Sequence, residues 1–452
     1  MPGVTETARA DHPTATAATG IADATGTPAD PPVAAARTYS PGLEGVIAGE
    51  SSIAYVDGAA GRLLYRGYPI GELVEHGTYA QVAELLWTGA WPAHAHLPCA
   101  HLPSDVAAVL RLIPPSTHPM DALRTGISAW GAGRGMNWPP TLEQARALTA
   151  IAPSILAAFA RFRQGLEHVE ADPQLDLAAG FLYQLRGERP DPAAARALDA
   201  YFIVGAEHGF NASTFTALVI TSTKSDLTSG VCGAIGALKG PLHGGAPSEV
   251  VDQLSQIGTP EHAEAWLRDA VARGERLMGF GHRVYKAYDP RAAALRKVAE
   301  GLSGMADWLA LAVEVEDVAL RVLAELKPDH ILKTNVEYYA AAVLQGVGLP
   351  PDLFPATFAL ARHAGWTAHC IEYAATSRLI RPDVIYTGPE ERHLPAPVPV
   401  ARPKARGPKA RGPKAGGPKA GGPKASGPKV PIAASPRASG ARGPKVRRPK
   451  AS

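Results

Sequence analysis

The sequence predicts a mostly α-helical body that begins with one small β-hairpin and lies between two disordered ends. Three observations support this fold class. Nearly every segment after residue 66 has apolar residues at intervals of three and four, which is the period of one helix face. Alternating strand patterns are absent beyond the hairpin. The two ends of the 452-residue chain lack the apolar side chains that a core needs.

The N-terminal part changes character near residue 41. Residues 1–40 are mainly Ala, Thr, Pro and Gly with few large apolar groups, which predicts a disordered segment. Residues 52–56 and 62–66 have strand-like composition and flank the stretch 57–61, which contains two glycines. This pattern predicts a β-hairpin with a glycine-containing loop.

The body that follows is predicted to consist of helices. Its clearest apolar stripes are Trp308, Leu311, Val315, Val318 and Val322, and Leu148, Ile151, Ile155 and Phe159. Pro153 lies within the second stripe and predicts a kink there. A long helix is predicted over residues 353–377, with a break near Gly365.

Charge is segregated along the chain. Residues 401–452 contain fifteen Lys and Arg and no Asp or Glu, which leaves 30 basic against 42 acidic residues elsewhere, a formal charge of −12. Gly-Pro-Lys recurs there every five residues, so 390–452 is predicted to be a disordered, self-repelling coil. Weak nonspecific binding of a polyanion, loose contact with the acidic body, and no specific partner are three uses that remain open for this tail.

The three cysteines, Cys99, Cys232 and Cys370, are scattered and lack metal-ligand spacing. They indicate a reducing compartment without a disulfide framework. No apolar run has the length that spans a bilayer, and the N-terminus lacks both the pattern of a signal peptide and the basic bias of a transit peptide. We therefore expect a cytoplasmic protein with no membrane partner.

One histidine lies between glycines in the heptad 240–246, Gly-Pro-Leu-His-Gly-Gly-Ala, just before a predicted helix. A histidine at a helix N-terminus has a lowered pKa, so His243 is expected to be neutral at pH 7. Neutral imidazole still donates one hydrogen bond to an oxygen that becomes negative in a transition state. The alternative is a glycine-rich turn with a structural histidine.

Four further stretches carry side chains suited to chemistry: 207–215, 278–291, 334–339 and 362–366, with Arg381 nineteen residues after Arg362. Taken singly, each has an ordinary alternative. His208 and His282 are compatible with a core position or a turn. Glu337 follows Asn335, a good N-cap, and a first-turn carboxylate complements the helix dipole. Arginines beside prolines are often plain surface residues.

Taken together, these residues favour one kind of reaction. Arginines bind small dicarboxylates through two parallel hydrogen bonds. Histidines polarise carbonyl groups, and a carboxylate removes a proton α to a thioester. This combination suits carbon–carbon bond formation between an acyl-CoA and a 2-oxo acid.

The order of motifs resembles that of the citrate synthase family over residues 42–389. The matching motifs are 42–46, 64–68, 119–124, 207–215, 240–246, 281–286, 365–369 and 381–382. The resemblance implies a two-domain helical fold, with a large domain over 41–246 and 341–389 and a small domain over 247–340. It also implies a homodimer, no metal and no cofactor beyond the coenzyme A thioester that is a substrate.

The resemblance also implies a role for each matching residue. His243, His282 and Glu337 match the catalytic groups, which stabilise the enol of acetyl-CoA, polarise the oxaloacetate carbonyl and remove the α-proton. The substrate-binding residues implied are His208, Asn211, Ser213, Arg291, Arg362 and Arg381, the last reaching across from the other subunit. The residues implied to hold coenzyme A are Met278, Gly279, Phe280, Gly281 and Lys286.

One position departs from the family. Its general base is usually an aspartate, and here Glu337 places the carboxylate one methylene further from the backbone. A shifted helix start, a slower enzyme and a preference for another acyl-CoA are the three explanations that the sequence leaves open. Two alternative functions also stay open: a 2-methylcitrate synthase that uses propionyl-CoA, and an inactive dimeric scaffold that carries the tail. A related lyase that runs towards cleavage is disfavoured, since no partner module is present.

Overall fold

The computed structural model describes residues 39–394 except 245, 283, 303–305 and 377. The predicted disorder of the N-terminal segment and of the Gly-Pro-Lys tail therefore lies outside the described residues, apart from their inner ends. The chain divides into two compact units, Met1–Asp383 and Val384–Ser452. In the second unit, the described residues 384–394 form no helix or strand, and the Tyr386 hydroxyl donates to the Pro389 carbonyl over 3.0 Å.

The first unit begins with a small antiparallel sheet in the order β1 (Ala54–Asp57), β2 (Arg62–Tyr65) and β3 (Tyr68–Pro69). Ala54 pairs with Tyr65 and Asp57 with Arg62, so the predicted hairpin is confirmed. The third strand was not predicted. It follows a tight turn in which Arg66 and Gly67 have φ of 48° and 91°.

The rest of the first unit is helical, as predicted. Its α-helices, in chain order from α1 to α15, are Ile70–His76, Tyr79–Thr88, Ser104–Leu112, Pro119–Ala132, Leu142–Phe162, Leu177–Arg186, Pro192–Gly205, Ala212–Ser222, Leu227–Leu238, Ala246–Ile257, Pro260–Ala272, Pro290–Glu300, Ala306–Leu326, Val336–Gly346 and Phe354–Thr376. Two 3₁₀ turns, Pro41–Leu43 and Pro351–Leu353, complete the regular structure of the described residues.

Local chemistry explains where the helices near the later site begin. Asn335 caps α14, because its side-chain oxygen accepts the Glu337 N–H over 3.0 Å. Asp289 caps α12 in the same way, and Pro290 occupies the first helical position, where a missing N–H costs nothing. Asn211 caps α8 by accepting the Thr214 N–H.

Helix α15 is the centre of the core. Its residues from Phe354 to Cys370 are all buried, and the helix passes through Gly365 without interruption, so the predicted break there is wrong. A Cβ at this position would lie closer than 3.0 Å to the Ala206 carbonyl oxygen and to Oε2 of Glu207. Glycine is present because another backbone comes close, not because the helix ends.

Helix α5 corrects another expectation. Among the described helices it alone is long and apolar enough to cross a membrane, whereas the sequence analysis finds no run of that length. Of its most apolar window, 72% is buried against the rest of the protein. The domain boundaries predicted at residues 246/247 and 340/341 stay a prediction.

Candidate active site

Two of the predicted histidines meet around Tyr285. His208 precedes α8 and His282 precedes α12, and their ring centroids are 5.5 Å apart in an edge-to-face arrangement. The Tyr285 ring lies 5.5 Å from His208 and 4.9 Å from His282, and its hydroxyl is 3.2 Å from Nε2 of His208. Burial lowers the pKa of His208 well below 6.5, and the charges of Arg291 and Arg362 act in the same direction.

The hydrogen bonds of His282 fix its tautomer. The backbone N–H groups of Val284 and Tyr285 donate to Nδ1 over 3.0 and 3.1 Å. Because an amide N–H only donates, these two bonds place a lone pair on Nδ1 and the proton of the neutral ring on Nε2. Nη2 of Arg291 lies 3.4 Å from Nε2, a longer contact than its 2.8 Å bond to Asp289, so the two amide bonds to Nδ1 decide the tautomer. Burial and then the charge of Arg291 lower the pKa to about 4. His282 therefore presents a neutral N–H donor, which is what polarising a carbonyl requires.

His243 has the opposite tautomer. It lies in the turn between α9 and α10, where Nε2 accepts the backbone N–H of Ser213 over 3.3 Å and is 2.9 Å from the Ser213 hydroxyl. The proton of the neutral ring is then on Nδ1. Burial, followed by the charge of Arg362, lowers the pKa to about 4. The sequence predicts this direction from the α10 dipole, but burial is the largest cause in the structure.

Ser213 is itself held from three sides. Its hydroxyl oxygen accepts the indole N–H of Trp366 over 3.0 Å, and its single proton lies between Oδ1 of Asn211, at 2.8 Å, and Nε2 of His243, at 2.9 Å. Oδ1 of Asn211 also accepts the Thr214 N–H over 3.1 Å. The two predicted residues, Asn211 and Ser213, thus form the support of the His243 ring.

Arg291 is buried in an ion pair. Its Nε and Nη2 donate to the two carboxylate oxygens of Asp289 over 3.0 and 2.8 Å, and both side chains are at most 5% exposed. Asp289 also accepts the Val336 N–H over 3.0 Å. It therefore ties the start of α12 to the start of α14, and it leaves Nη1 of Arg291 without a hydrogen-bond partner among the described residues.

Arg362, on α15, is also buried, with 1% of its surface exposed. Its Nε donates to the Gly205 carbonyl over 2.6 Å, and its Cζ lies 4.9 Å from the Phe358 ring centroid. Neither terminal nitrogen has a hydrogen-bond partner within the described part of the chain. A carboxylate is the ligand that such a buried, planar pair of donors fits.

Glu337 lies in the first turn of α14 and lines a small cavity with Arg291, Tyr201 and Phe358. Its carboxylate accepts no hydrogen bond from any described residue. Burial raises its pKa to about 7, although the positive charge of Arg291 opposes this shift. A carboxylate that is half ionised near neutral pH is suited to act as a general base.

The segment predicted to hold coenzyme A is fixed to the strand-like stretch before α14. The Gly279 carbonyl accepts the Asn335 N–H over 2.9 Å, and the Gly281 N–H donates to the Lys333 carbonyl over 2.7 Å. Met278 exchanges hydrogen bonds with the Gln253 side chain. Gly279 and Gly281 have φ of 85° and 80°, which side chains rarely adopt.

A larger cavity lies beside this segment. Phe280, Gly281 and His282 line it together with the basic side chains of Arg276, Lys327 and His330. Lys286 is exposed and lies outside the lining. No group of three or more His, Cys, Asp or Glu that could hold a metal ion occurs within the described part of the chain.

Arg381 is not brought to these residues. It is exposed on the segment after α15 and forms no hydrogen bond or ion pair with any described residue. The other predicted groups share an electrostatic environment, since Arg291 acts on the pKa of His208, His282 and Glu337, and Arg362 on that of His208, His243 and Glu337.

Sequence reasoning missed four residues of the site: Tyr201, Tyr285, Asp289 and Trp366. Tyr285, Asp289 and Trp366 lie within motifs that the sequence singles out, so position in a motif is their only signal. Tyr201 lies in α7 without any motif, and only the fold places it beside Glu337.

Comparison with known proteins agrees with this geometry. Residues 42–383 match the family profile described as citrate synthase, C-terminal domain. A citrate synthase of Haloferax volcanii is 41% identical over 77% of this chain and 96% of its own length. A 2-methylcitrate synthase of Mycobacterium tuberculosis is 37% identical over 78% of this chain and 92% of its own length.

Solved structures give the same result. The citrate synthase of Thermotoga maritima is 36% identical, with a TM-score of 0.69 over 79% of this chain and 98% of that chain. The citrate synthase of Thermoplasma acidophilum, in a ternary complex with carboxymethyl coenzyme A and oxaloacetate, is 30% identical, with a TM-score of 0.70 over 80% of this chain and 99% of that one.

Proposed function

The chain belongs to the citrate synthase family of acyltransferases, which condense an acyl-CoA with oxaloacetate, and we propose that its acyl donor is acetyl-CoA and its product citrate. The observation that carries this proposal is Glu337, a carboxylate with a pKa of about 7 that shares a small cavity with Arg291. Two neutral histidines with opposite tautomers complete the set of groups that the reaction needs.

In the proposed reaction, ionised Glu337 removes a proton from the α-carbon of the thioester. The Nδ1–H of His243 donates to the oxygen on which negative charge develops, a contact worth a few kcal/mol in such sites. The enol carbon then attacks the oxaloacetate carbonyl, which the Nε2–H of His282 polarises. Water hydrolyses the citryl thioester and releases CoA.

The two arginines are proposed to bind the carboxylates of oxaloacetate. The free terminal nitrogens of Arg362 and the free Nη1 of Arg291 support this role. His208, held next to His282 by Tyr285, is proposed to contribute a further hydrogen bond. The larger cavity with Phe280, Gly281, Arg276 and Lys327 is proposed to receive coenzyme A, because basic side chains suit its phosphates.

Propionyl-CoA is the second candidate donor, since the 2-methylcitrate synthase of Mycobacterium tuberculosis is nearly as similar as the citrate synthases. Our choice of acetyl-CoA assumes that Tyr201, Val204 and Phe358, which line the cavity beside Glu337, exclude the additional methyl of a propionyl group. The inactive scaffold is disfavoured by the intact set of histidines and arginines.

A homodimer is also part of the proposal. The outer faces of α8 and α9 are half-exposed yet apolar, with Phe215, Val219, Ile220 and Cys232 on them. Such faces favour burial against another chain. All three cysteines are free, which supports the proposed cytoplasmic location.

The test is release of free CoA by the purified full-length protein with oxaloacetate and either acetyl-CoA or propionyl-CoA. We expect kcat/KM to be higher with acetyl-CoA, and His243→Ala to lower kcat by orders of magnitude with little change in oxaloacetate binding. Higher kcat/KM with propionyl-CoA would reject the donor assignment. Release by neither donor would reject the function itself.

A further inference from the structure

The turn of the N-terminal hairpin touches the loop that carries His282. The Lys286 N–H donates to the Gly58 carbonyl over 2.8 Å. A Cβ on Gly58 would lie far inside 3.0 Å of the Val284 carbonyl oxygen, and a Cβ on Gly61 would lie 3.1 Å from the Tyr288 carbonyl oxygen. We call residues 57–61 the hairpin turn. Its backbone packs directly against the backbone of residues 284–288.

Glycine at position 58 serves this close approach. Gly61 has φ of 63°, so its backbone conformation alone favours glycine, whereas the φ of Gly58 lies outside the left-handed region. Any residue could adopt the backbone of Gly58. The Val284 carbonyl is the main obstacle to a side chain there, and Cγ1 of Val284 is also close, at 3.1 Å.

The contacted loop holds the tautomer of His282. The N–H of Val284 donates to Nδ1, and Tyr285, between the two residues that the hairpin turn contacts, supplies the second N–H. If residues 284–286 moved away, Nδ1 would lose both donors. The ring would then no longer be held with its proton on Nε2, the atom that donates to the oxaloacetate carbonyl in the proposed reaction.

The hairpin turn is itself well supported. Oδ1 of Asp57 accepts the N–H groups of Ala59 and Ala60 over 3.1 and 2.9 Å. At the far end of β2, the buried Tyr65 hydroxyl donates to the Glu207 carbonyl over 2.8 Å, next to His208. The sheet thus contacts the site at two places: Tyr65 bonds to the residue before His208, and the hairpin turn contacts the loop after His282.

We propose that the hairpin turn is a positioning element for His282, with Gly58 as the residue that allows the required backbone contact. This role rests on the proposed function, because it acts through polarisation of the oxaloacetate carbonyl. Gly58 acts through the backbone of this loop and brings no side chain of its own. Its backbone contacts Val284 and Lys286, and the backbone N–H groups of Val284 and Tyr285 donate to Nδ1 of His282.

Three variants test the proposal. Gly58→Ala forces the Val284 carbonyl to move by roughly 1 Å or more, given ordinary contact distances. Asp57→Ala loosens the hairpin turn without adding any atom. Gly71→Ala is the matched control, since it makes the same exchange in α1, where a Cβ meets nothing within 4 Å.

The decisive measurement is the infrared carbonyl stretch of oxaloacetate bound to each full-length variant, together with kcat and KM for both substrates. We expect Gly58→Ala to weaken the carbonyl shift and to lower kcat roughly tenfold to a hundredfold. Asp57→Ala should change both in the same direction and less. Gly71→Ala should match the wild type.

A wild-type carbonyl shift and wild-type kcat in folded Gly58→Ala would overturn the proposal. So would a drop in melting temperature without any change of the shift, because that result describes a merely structural glycine. Hydrogen exchange at the Lys286 amide tests the contact without turnover and should be faster in Gly58→Ala than in Gly71→Ala. If the wild type neither shifts the carbonyl nor releases CoA, the proposed function fails, and the exchange result alone decides the contact.

Discussion

At the scale of single residues, Glu337 is the departure that most affects chemistry. Its backbone position is the ordinary one for a first-turn residue, because Asn335 still caps α14. Its carboxylate lies at a cavity that Arg291 and Tyr201 also line, and burial raises its pKa to about 7. The substitution therefore retains a basic group that is poised near neutral pH.

This position gives a prediction for Glu337→Gln. The base must be ionised, so wild-type kcat should rise with pH through about 7, and the Gln variant should show neither that rise nor appreciable turnover. Proton–deuterium exchange at the acyl methyl of the donor, with an oxaloacetate analogue bound, measures the same step. Unimpaired exchange in Glu337→Gln would assign the base to another residue. Glu249→Gln, an exposed first-turn carboxylate in α10, is the control.

The raised pKa of Glu337 also predicts how the free energy of unfolding depends on pH. Its folded pKa of about 7 lies above its ordinary value of 4.5, so the contribution of Glu337 to stability is fully present below pH 4.5 and is lost as the pH rises through 7. Glu337→Gln does not titrate, and its stability relative to the wild type should increase over this range by up to about 3 kcal/mol. Denaturant unfolding at pH 5 and pH 8 measures the difference.

At the scale of elements, α15 shows how a buried helix tolerates close neighbours. Gly365 lets the Ala206 backbone and the Glu207 carboxylate approach, and Trp366 beside it donates to Ser213. The same turn of helix therefore packs the core and supports His243. A periodic pattern predicts such a helix, but it does not show which backbone lies against it.

Gly365→Ala is predicted to destabilise the protein, because the new methyl meets a backbone carbonyl and a buried carboxylate that have little freedom to move. Overpacking of this kind typically costs about 1–3 kcal/mol. Thermal unfolding compared with Gly71→Ala measures the loss. Equal melting temperatures for the two variants would contradict the close approach.

At the scale of the whole molecule, the proposed homodimer predicts that Arg381 acts in the site of the partner subunit. The residue is exposed and unpaired within the described residues, whereas Arg291 and Arg362 are buried at the site. Arg381→Ala and His243→Ala should each be inactive. Mixing them with subunit exchange should form heterodimers with one restored site, and a failure to recover activity would place Arg381 outside the partner's site.

The basic tail lies outside the described residues, and its role is a proposal from charge alone. Deleting residues 394–452 should leave kcat and the dimer intact, since the match to the family ends at residue 383. Any nucleic-acid binding should disappear with the deletion and should weaken sharply between about 50 and 200 mM salt. A truncated protein that neither folds nor turns over would show that the tail is part of the enzyme.

The sequence by itself determined the helical class, the hairpin, the cap of α14 and the side chains from which the site is built. These follow from local rules, since periodicity, caps and turn residues act over a few positions. The tertiary structure alone decided which nitrogen of His243 and of His282 carries the proton, why Glu337 has a raised pKa, and that Gly58 and Gly365 allow close contacts. The two glycines and His243 depend on residues more than twenty positions away, and the pKa of Glu337 depends on burial. The tautomer of His282 depends on how the following loop folds back on the ring. A local sequence pattern records neither distant contacts nor burial.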